Sequence, residues 1–303
     1  MSGWARLRRI DSITQAVGDT PLVPLRSVTE HTPAVTVLLK LEYLNPSGSI
    51  KDRGVLRIFR DARQTGVLSG DTILLDATGP NTGLSYALFG AALGVRVRLV
   101  MPDSVAEDVR LTIADLGADV IATPASAGFE GARAVAEERA KEPGVFYARY
   151  HTNPSNLAAH YDGTSREILR DVGDRITHVV VGLGSGGTWS GTHKRLRELR
   201  RPVSCIGVRL DATMVGFEGL AGGLPTPQFS WEADAAGDDH DTVSVEEAFA
   251  MTARLAGTEG LFVGPSSGAT ICTAIRLAER LQQAQKSGCI VAIVGDRGDR
   301  YAA

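Results

Sequence analysis

Lys51 stands in EYLNPSGSIKDRG (42–54), where a polar Ser/Gly turn runs into a helix-forming segment. A helix start carries partial positive charge and favours anions. An ammonium group is therefore out of place there unless it gives up its proton. A lysine near positive helix ends in a partly dry site loses its proton more readily than a free one. A neutral amine can form a Schiff base with an aldehyde. Taken alone, a lysine at a helix start is far more often a solvated surface residue.

Three further loops carry unusual residues: DATGPNTG (76–83), GLGSGGTWSG (182–191) and VGPSSGAT (263–270). The second follows the strand-like THVVV and suits an anion best. Gly184, Gly186 and Gly187 let the backbone bend and approach a ligand closely. The helix that follows offers free N–H groups to a phosphate, and Ser185 and Thr188 add hydroxyls. Five glycines in these ten residues count against a mere turn. Pyridoxal phosphate requires an imine lysine, a phosphate cradle and a partner for its ring nitrogen. Lys51, loop 184–188 and one more polar residue would supply them. The loop also matches G-x-G-x-x-G through Gly182, Gly184 and Gly187, a dinucleotide signature. The next strand ends at Val208-Arg209-Leu210, with Asp211 just beyond rather than an acid at its tip. The dinucleotide reading stays open but second, and gives Lys51 no task.

Holding such loops takes a scaffold, and the hydrophobic pattern supplies one. VTVLLKLE, DTILLDA, RVRLVMP, DVIATP, THVVVGLG and VSCIGVRL have strand patterns; DRGVLRIFRDARQTG, NTGLSYALFGAALG, VAEDVRLTIADLGA and GFEGARAVAEERAKE have helical ones. Short apolar runs bounded by Gly and Asp suit parallel strands buried on both faces. Repeated βα units predict an α/β fold of doubly wound parallel sheets, with ligands beyond the C-terminal strand ends. A joint near 145–156 divides a smaller N-terminal domain, 36–150, from a larger phosphate-binding domain, 151–303, with 1–35 packed on the latter. Residues 211–241, rich in Gly, Asp and Pro, are expected to form a long loop.

The 303 residues, 43% hydrophobic and 22% charged, can bury the core of a soluble globular protein. A net charge of -3 gives no general attraction for nucleic acid or anionic membrane. No apolar stretch is long enough to span a bilayer, and the start lacks the apolar region of a secretory signal, so a cytoplasmic location is expected. Cys205, Cys272 and Cys289 are far apart in apolar runs and read as buried free thiols. No metal-ligand spacing is present, and no metal is expected.

GDTPL (18–22), NPSGSIKDR (45–53), NTG (81–83), GSGGTWSG (184–191), VGPSSGA (263–269) and GDRGDRY (295–301) occur in an order that resembles the cysteine synthase and cystathionine β-synthase family. These are fold-type II pyridoxal 5'-phosphate enzymes, tryptophan synthase β-like in fold. The tail is most similar to the O-acetylserine sulfhydrylase B branch. The resemblance covers nearly the whole chain. It implies that Lys51 forms the imine with the cofactor and moves protons at the substrate Cα. It implies that Gly184, Ser185, Gly186, Gly187 and Thr188 hold the phosphate, that Asn81 bonds the ring hydroxyl and that Ser266 partners the ring nitrogen. An N-cap is the plain alternative for Ser266. Thr78, Gly79, Asn81 and Thr82 would grip the substrate α-carboxylate. The implied reaction is β-replacement on O-acetylserine or O-phosphoserine through an aminoacrylate, giving cysteine or another β-substituted alanine. A homodimer acting on small amino-acid substrates is implied too.

Two positions depart from the family pattern. The carboxylate loop commonly reads T-S-G-N-T; here it is Thr78-Gly79-Pro80-Asn81-Thr82, which loses a hydroxyl and, at Pro80, an N–H. A glutamine commonly precedes the NP of NPSN by three residues; Tyr150 stands there. Both changes touch substrate rather than cofactor. A non-sulfur nucleophile, such as an amine giving a diaminopropionate, is therefore a close rival. Serine or threonine dehydration and a non-catalytic cofactor-binding partner protein rank lower. Arg149 and Arg209 are expected to favour a phosphorylated leaving group if they reach the mouth. The chain ends soon after Tyr301, which is expected to leave that edge more open.

Overall fold

The computed structural model describes residues 10–211, 220 and 240–301. Most of the expected 211–241 loop lies outside these described residues. The chain builds two α/β units on two sheets. The larger sheet contains β1 (Leu22–Pro24), β2 (Val35–Leu41), β7 (His178–Gly182), β8 (Ser204–Leu210), β9 (His240–Val243) and β10 (Gly288–Val294), in the order β1-β2-β10-β7-β8-β9. All its pairings are parallel except the edge pair β1–β2. The smaller sheet is wholly parallel, with β3 (Ile73–Ala77), β4 (Val97–Pro102), β5 (Asp119–Thr123) and β6 (Val145–Tyr147) in the order β5-β4-β3-β6.

The apolar runs are explained by burial on both faces. Along β10, Ile290, Ala292 and Val294 enter one core while Cys289, Val291 and Ile293 enter the other. In the smaller sheet Leu74, Leu99 and Met101 face one core, and Leu75, Ala77 and Val100 the opposite one. A strand of this kind has no polar face to show, hence the near-continuous hydrophobicity. Residues 36–41, which the sequence reading places in the smaller domain, belong to β2 and pair with β10 from Thr36↔Cys289 to Leu41↔Val294. Their partner lies at the far end of the chain, where local pattern cannot point to it.

Helices α1 (Lys51–Gln64), α2 (Pro80–Leu93), α3 (Glu107–Asp115) and α4 (Gly128–Arg139) accompany the smaller sheet. Next come α5 (Pro154–Ala159), α6 (Ser165–Val172), α7 (Gly187–Arg197), α8 (Val245–Glu259) and α9 (Pro265–Gln283). A π turn over His160–Thr164 joins α5 to α6. A buried ionic cluster ties the segments around α1 together. Arg53 donates to Glu42 Oε1 at 2.8 Å and to both Glu167 oxygens at 2.7 Å, and Lys40 Nζ lies 2.7 Å from Glu167. The Thr20 hydroxyl of GDTPL donates to Glu42 at 2.7 Å. No helix among the described residues is long and apolar enough to cross a membrane.

Candidate active site

The turn before Lys51 is pinned to the C-terminal end of β10. Ile50 N–H donates to Gly295 O at 2.8 Å, and Ser49 forms an antiparallel bridge with Asp296. Lys51 is therefore the first residue of α1 and sits half-buried beside the central strand end. The next residue, Asp52, answers the positive helix end. Its carboxylate is buried, accepting from Ser47 N–H at 2.7 Å and from the Ser85 hydroxyl at 2.5 Å. Burial raises its pKa above the usual carboxylate value, against the pull of those bonds. Lys51 lines a cavity together with Asn81, Gly184, Ser185, Gly186, Thr188, Ser266 and Asp296.

Between β7 and α7 the glycine loop turns sharply. Gly186 is the α7 N-cap at φ +83°, a left-handed conformation that favours glycine. Gly187 is needed for close approach: a Cβ there would lie 2.5 Å from Asn156 Oδ1. Asn156 is fully buried and donates from Nδ2 to Ser185 Oγ at 3.1 Å and to Tyr150 O at 3.3 Å. Thr188 Oγ1 lies 3.2 Å from His160 Nε2, while His160 Nδ1 meets Thr164 Oγ1 at 3.0 Å. Burial lowers the His160 pKa to about 3, with the Arg53 and Lys51 charges acting the same way, so the ring is neutral. Asn156 and His160 are functional supports that sequence reasoning missed. Their i, i+4 spacing, counted from the last residue of NPSN, puts two polar residues on one helix face and was the available signal.

At the other end of the cavity Asn81 Nδ2 donates to Asp296 Oδ2 at 2.8 Å, and the Tyr301 hydroxyl donates to the same oxygen at 2.6 Å. Ser266 is not an N-cap: Gly264 caps α9, and the Ser266 hydroxyl faces Asp296 Oδ1 at 3.5 Å. Asn81 Oδ1 is buried with no hydrogen-bond partner among the described residues. A buried amide oxygen left so is costly, and a ligand hydroxyl at the cavity would relieve it. A phosphorylated aromatic aldehyde fits this set: an amine, a glycine cradle at a helix start, and polar groups at the far end. Asp296 was not singled out from the sequence.

The expected substrate residues divide. Gly79 is the N-cap of α2 and Pro80 its first residue, so Asn81 and Thr82 present the N-terminal turn of that helix. Thr78 is buried, its hydroxyl donating to Gly79 O at 3.0 Å. Tyr150 is 2% exposed and belongs to the smaller core; a Cβ on Gly54 would lie 2.9 Å from its ring. Of the expected substrate residues Asn81 lines the Lys51 cavity, whereas Thr78, Gly79, Thr82 and Tyr150 do not. Arg149 stacks on Tyr147 at 4.5 Å in a separate cleft shared with Arg133 and His151. Arg209 lies in β8, in register with Thr242 of β9.

Comparison with known proteins points the same way. The family described as "Pyridoxal-phosphate dependent enzyme" matches residues 13–295. The chain is 36% identical over 295 residues to a cysteine synthase of Aquifex aeolicus, covering 96% of this chain and 90% of that one. It is 34% identical to cysteine synthase B of Escherichia coli, covering 96% and 94%. Among solved structures it resembles O-ureido-L-serine synthase, with a TM-score of 0.88, 32% identity and coverage of 97% and 93%.

Proposed function

The chain belongs to the pyridoxal-phosphate dependent enzymes, and from that premise we propose that it binds pyridoxal phosphate and performs β-replacement on an activated serine. O-acetylserine or O-phosphoserine is the amino-acid substrate, and cysteine or another β-substituted alanine the product. The observation that carries this reading is the convergence of Lys51, Asn81, the 184–188 loop and Ser266 on one cavity. The relatives named cysteine synthase support it. A soluble cytoplasmic homodimer is part of the proposal.

When bound, pyridoxal phosphate supplies an aldehyde that condenses with amines and a ring that accepts the electron pair released at a substrate Cα. Lys51 holds the cofactor and moves the proton at that carbon. Gly184, Ser185, Gly186 and Thr188 bind the phosphate, with Gly187 letting Asn156 close behind the loop. Asn81 and Ser266 orient the ring. Thr78, Gly79, Asn81 and Thr82 receive the α-carboxylate at the start of α2, where unpaired N–H groups favour an anion.

A second reading keeps the chemistry and changes the nucleophile. Pro80 gives the helix start one N–H fewer than a glycine would, and the fold matches an enzyme named for a non-sulfur product. Both readings are tested together. Borohydride reduction of the purified protein should fix the cofactor on Lys51, and Lys51→Ala should abolish the link. O-acetylserine and O-phosphoserine are then offered with sulfide or with amines. Protein that stays colourless after cofactor addition overturns the proposal; turnover with amines but not sulfide selects the second reading.

A further inference from the structure

The cleft beside Tyr147 has no task in the reading above. It opens between the C-terminal end of β3, at Asp76 and Ala77, and the part of α4 that carries Phe129 and Arg133. Arg149 and His151, from the turn after β6, close its third side. Arg149 has a left-handed backbone at φ +50°, a conformation uncommon outside glycine. Strain of this kind persists where the surroundings fix it, and here they do. The Thr152 and Asn153 N–H groups both donate to Arg149 O at 2.9 Å, and Asn153 Nδ2 donates to Ala148 O at 2.7 Å. Tyr150 N–H donates to Asp76 Oδ2 at 2.9 Å.

The turn so held seats the Arg149 guanidinium over the Tyr147 ring, 4.5 Å from its centroid. An arginine on an aromatic face keeps a planar fork of N–H donors suited to a carboxylate. Among the described residues no carboxylate lies within ion-pair distance of it. Asp76 beneath is already used, accepting from Ala77 N–H at 2.9 Å and the Tyr86 hydroxyl at 2.8 Å as well as from Tyr150. Glu137 also lines the cleft, unpaired with Arg149, and Arg133 lies 2.5 Å from Glu130.

The cleft adjoins the Lys51 cavity. Ala77 is followed directly by the expected carboxylate loop, whose Asn81 lines that cavity. His151 is near enough to feel Lys51: burial first, then the Lys51 and Arg133 charges, lower its pKa to about 4. The two spaces nevertheless share no lining residue. A leaving acetate or phosphate is bonded to Cβ, next to the carbon at which Lys51 works, and belongs in the Lys51 cavity. A group that reaches Arg149 has to arrive on the incoming nucleophile.

We infer that the Arg149 cleft is a subsite for a carboxylate carried by the nucleophile, so that the enzyme selects a thiol or amine bearing a carboxylate over its uncharged counterpart. The inference rests on the proposed β-replacement. In that reaction a C–S or C–N bond forms at Cβ, the C–O bond to acetate or phosphate breaks, and the proton lost by the nucleophile balances the departing anion.

Two measurements on the full chain loaded with pyridoxal phosphate test it. Calorimetric titration at low salt uses 3-(methylthio)propionate, which has the carboxylate but no reactive S–H, against 3-(methylthio)propanol. The acid should bind and the alcohol should not. Arg149→Met should weaken the acid about tenfold, as loss of a charge-assisted contact implies, and Arg133→Met should weaken it less, because Glu130 shares that guanidinium. Turnover of O-acetylserine with 3-mercaptopropionate and with 2-mercaptoethanol should give a ratio of kcat/KM that favours the acid and falls about tenfold in Arg149→Met. Equal binding of acid and alcohol by the unmodified protein overturns the inference, even if the variants fail to fold. So does an unchanged affinity in folded Arg149→Met. If that variant instead loses O-phosphoserine selectively over O-acetylserine, with sulfide as the common nucleophile, the cleft holds the leaving phosphate and the inference is wrong. Failure of the β-replacement reading shows elsewhere, as a protein that stays colourless after cofactor addition.

Discussion

Arg53 lies two residues after Lys51, yet its guanidinium does not line the cavity; it bonds Glu42 and Glu167 in the interior. Removing one member of such a cluster leaves uncompensated buried charge, which costs about 3–5 kcal/mol. Arg53→Met should therefore lower stability by about that amount in chemical denaturation, and an unchanged midpoint would refute the role. Glu167 adds a pH signature. Burial alone would raise its pKa, but Arg53 and Lys40 hold it at about 2, below its ordinary 4.5. The unfolded chain thus binds this proton first, and stability present above pH 4.5 is lost as pH falls towards 2. Gly187 makes the opposite kind of contribution, through what it lacks. With a Cβ placed 2.5 Å from Asn156, Gly187→Ala must displace the amide that steadies Ser185. That variant should release cofactor on dialysis far faster than Ser190→Ala, and equal retention in the two would show that the loop is only a turn.

The α5–π–α6 segment is the element that decides how the glycine loop is supported. A π turn at a functional site re-aims side chains that an unbroken helix would present elsewhere. Here the turn begins at His160, which meets Thr188 of the loop and Thr164 of its own turn. Because burial lowers the His160 pKa from 6.5 to about 3, the unfolded chain takes up its proton well before the folded one. Stability is full above pH 6.5 and falls with acidification, by about 2 kcal/mol at about pH 5. His160→Gln should flatten that slope between about pH 7.5 and 5, and an unchanged slope would place the acid sensitivity elsewhere. The π turn itself was not legible in NPSNLAAHYDGTS, because helical propensity does not distinguish a π turn from ordinary helix. Other parts were legible for clear reasons. Strands buried on both faces announce themselves as apolar runs, and Gly186 and Gly187 stand where left-handed backbone and close approach exclude side chains. Asp296 and Asn156 were not, since their meaning depends on partners brought together only by folding.

At the scale of the whole molecule the cavity is shared property. Asn81 comes from the helix after β3 of the smaller sheet, whereas Gly184–Thr188, Ser266 and Asp296 follow strands or open helices of the larger unit. The Asn81–Asp296 bond, at 2.8 Å, joins the two. Tyr150 shows the same dependence on tertiary context. Its place in the motif suggests a substrate contact, but its ring fills the smaller core, and Tyr150→Ala should cost about 3–5 kcal/mol of stability, as aromatic truncations in cores do. A ligand seated in a cavity built by both units binds the folded chain and not the unfolded one. It should therefore stabilise the fold by about 2.7 kcal/mol at a hundredfold excess over its dissociation constant. Cofactor removed with hydroxylamine should lower the denaturation midpoint of both units together, and added pyridoxal phosphate should restore it. The probes are near-ultraviolet signals: Trp189, buried in α7 and stacked on His193 at 4.5 Å, reports the larger unit, and Tyr86 in α2 the smaller. If only the Trp189 transition moved, the cofactor would be held by the larger unit alone, and Asn81 would have no part in binding it.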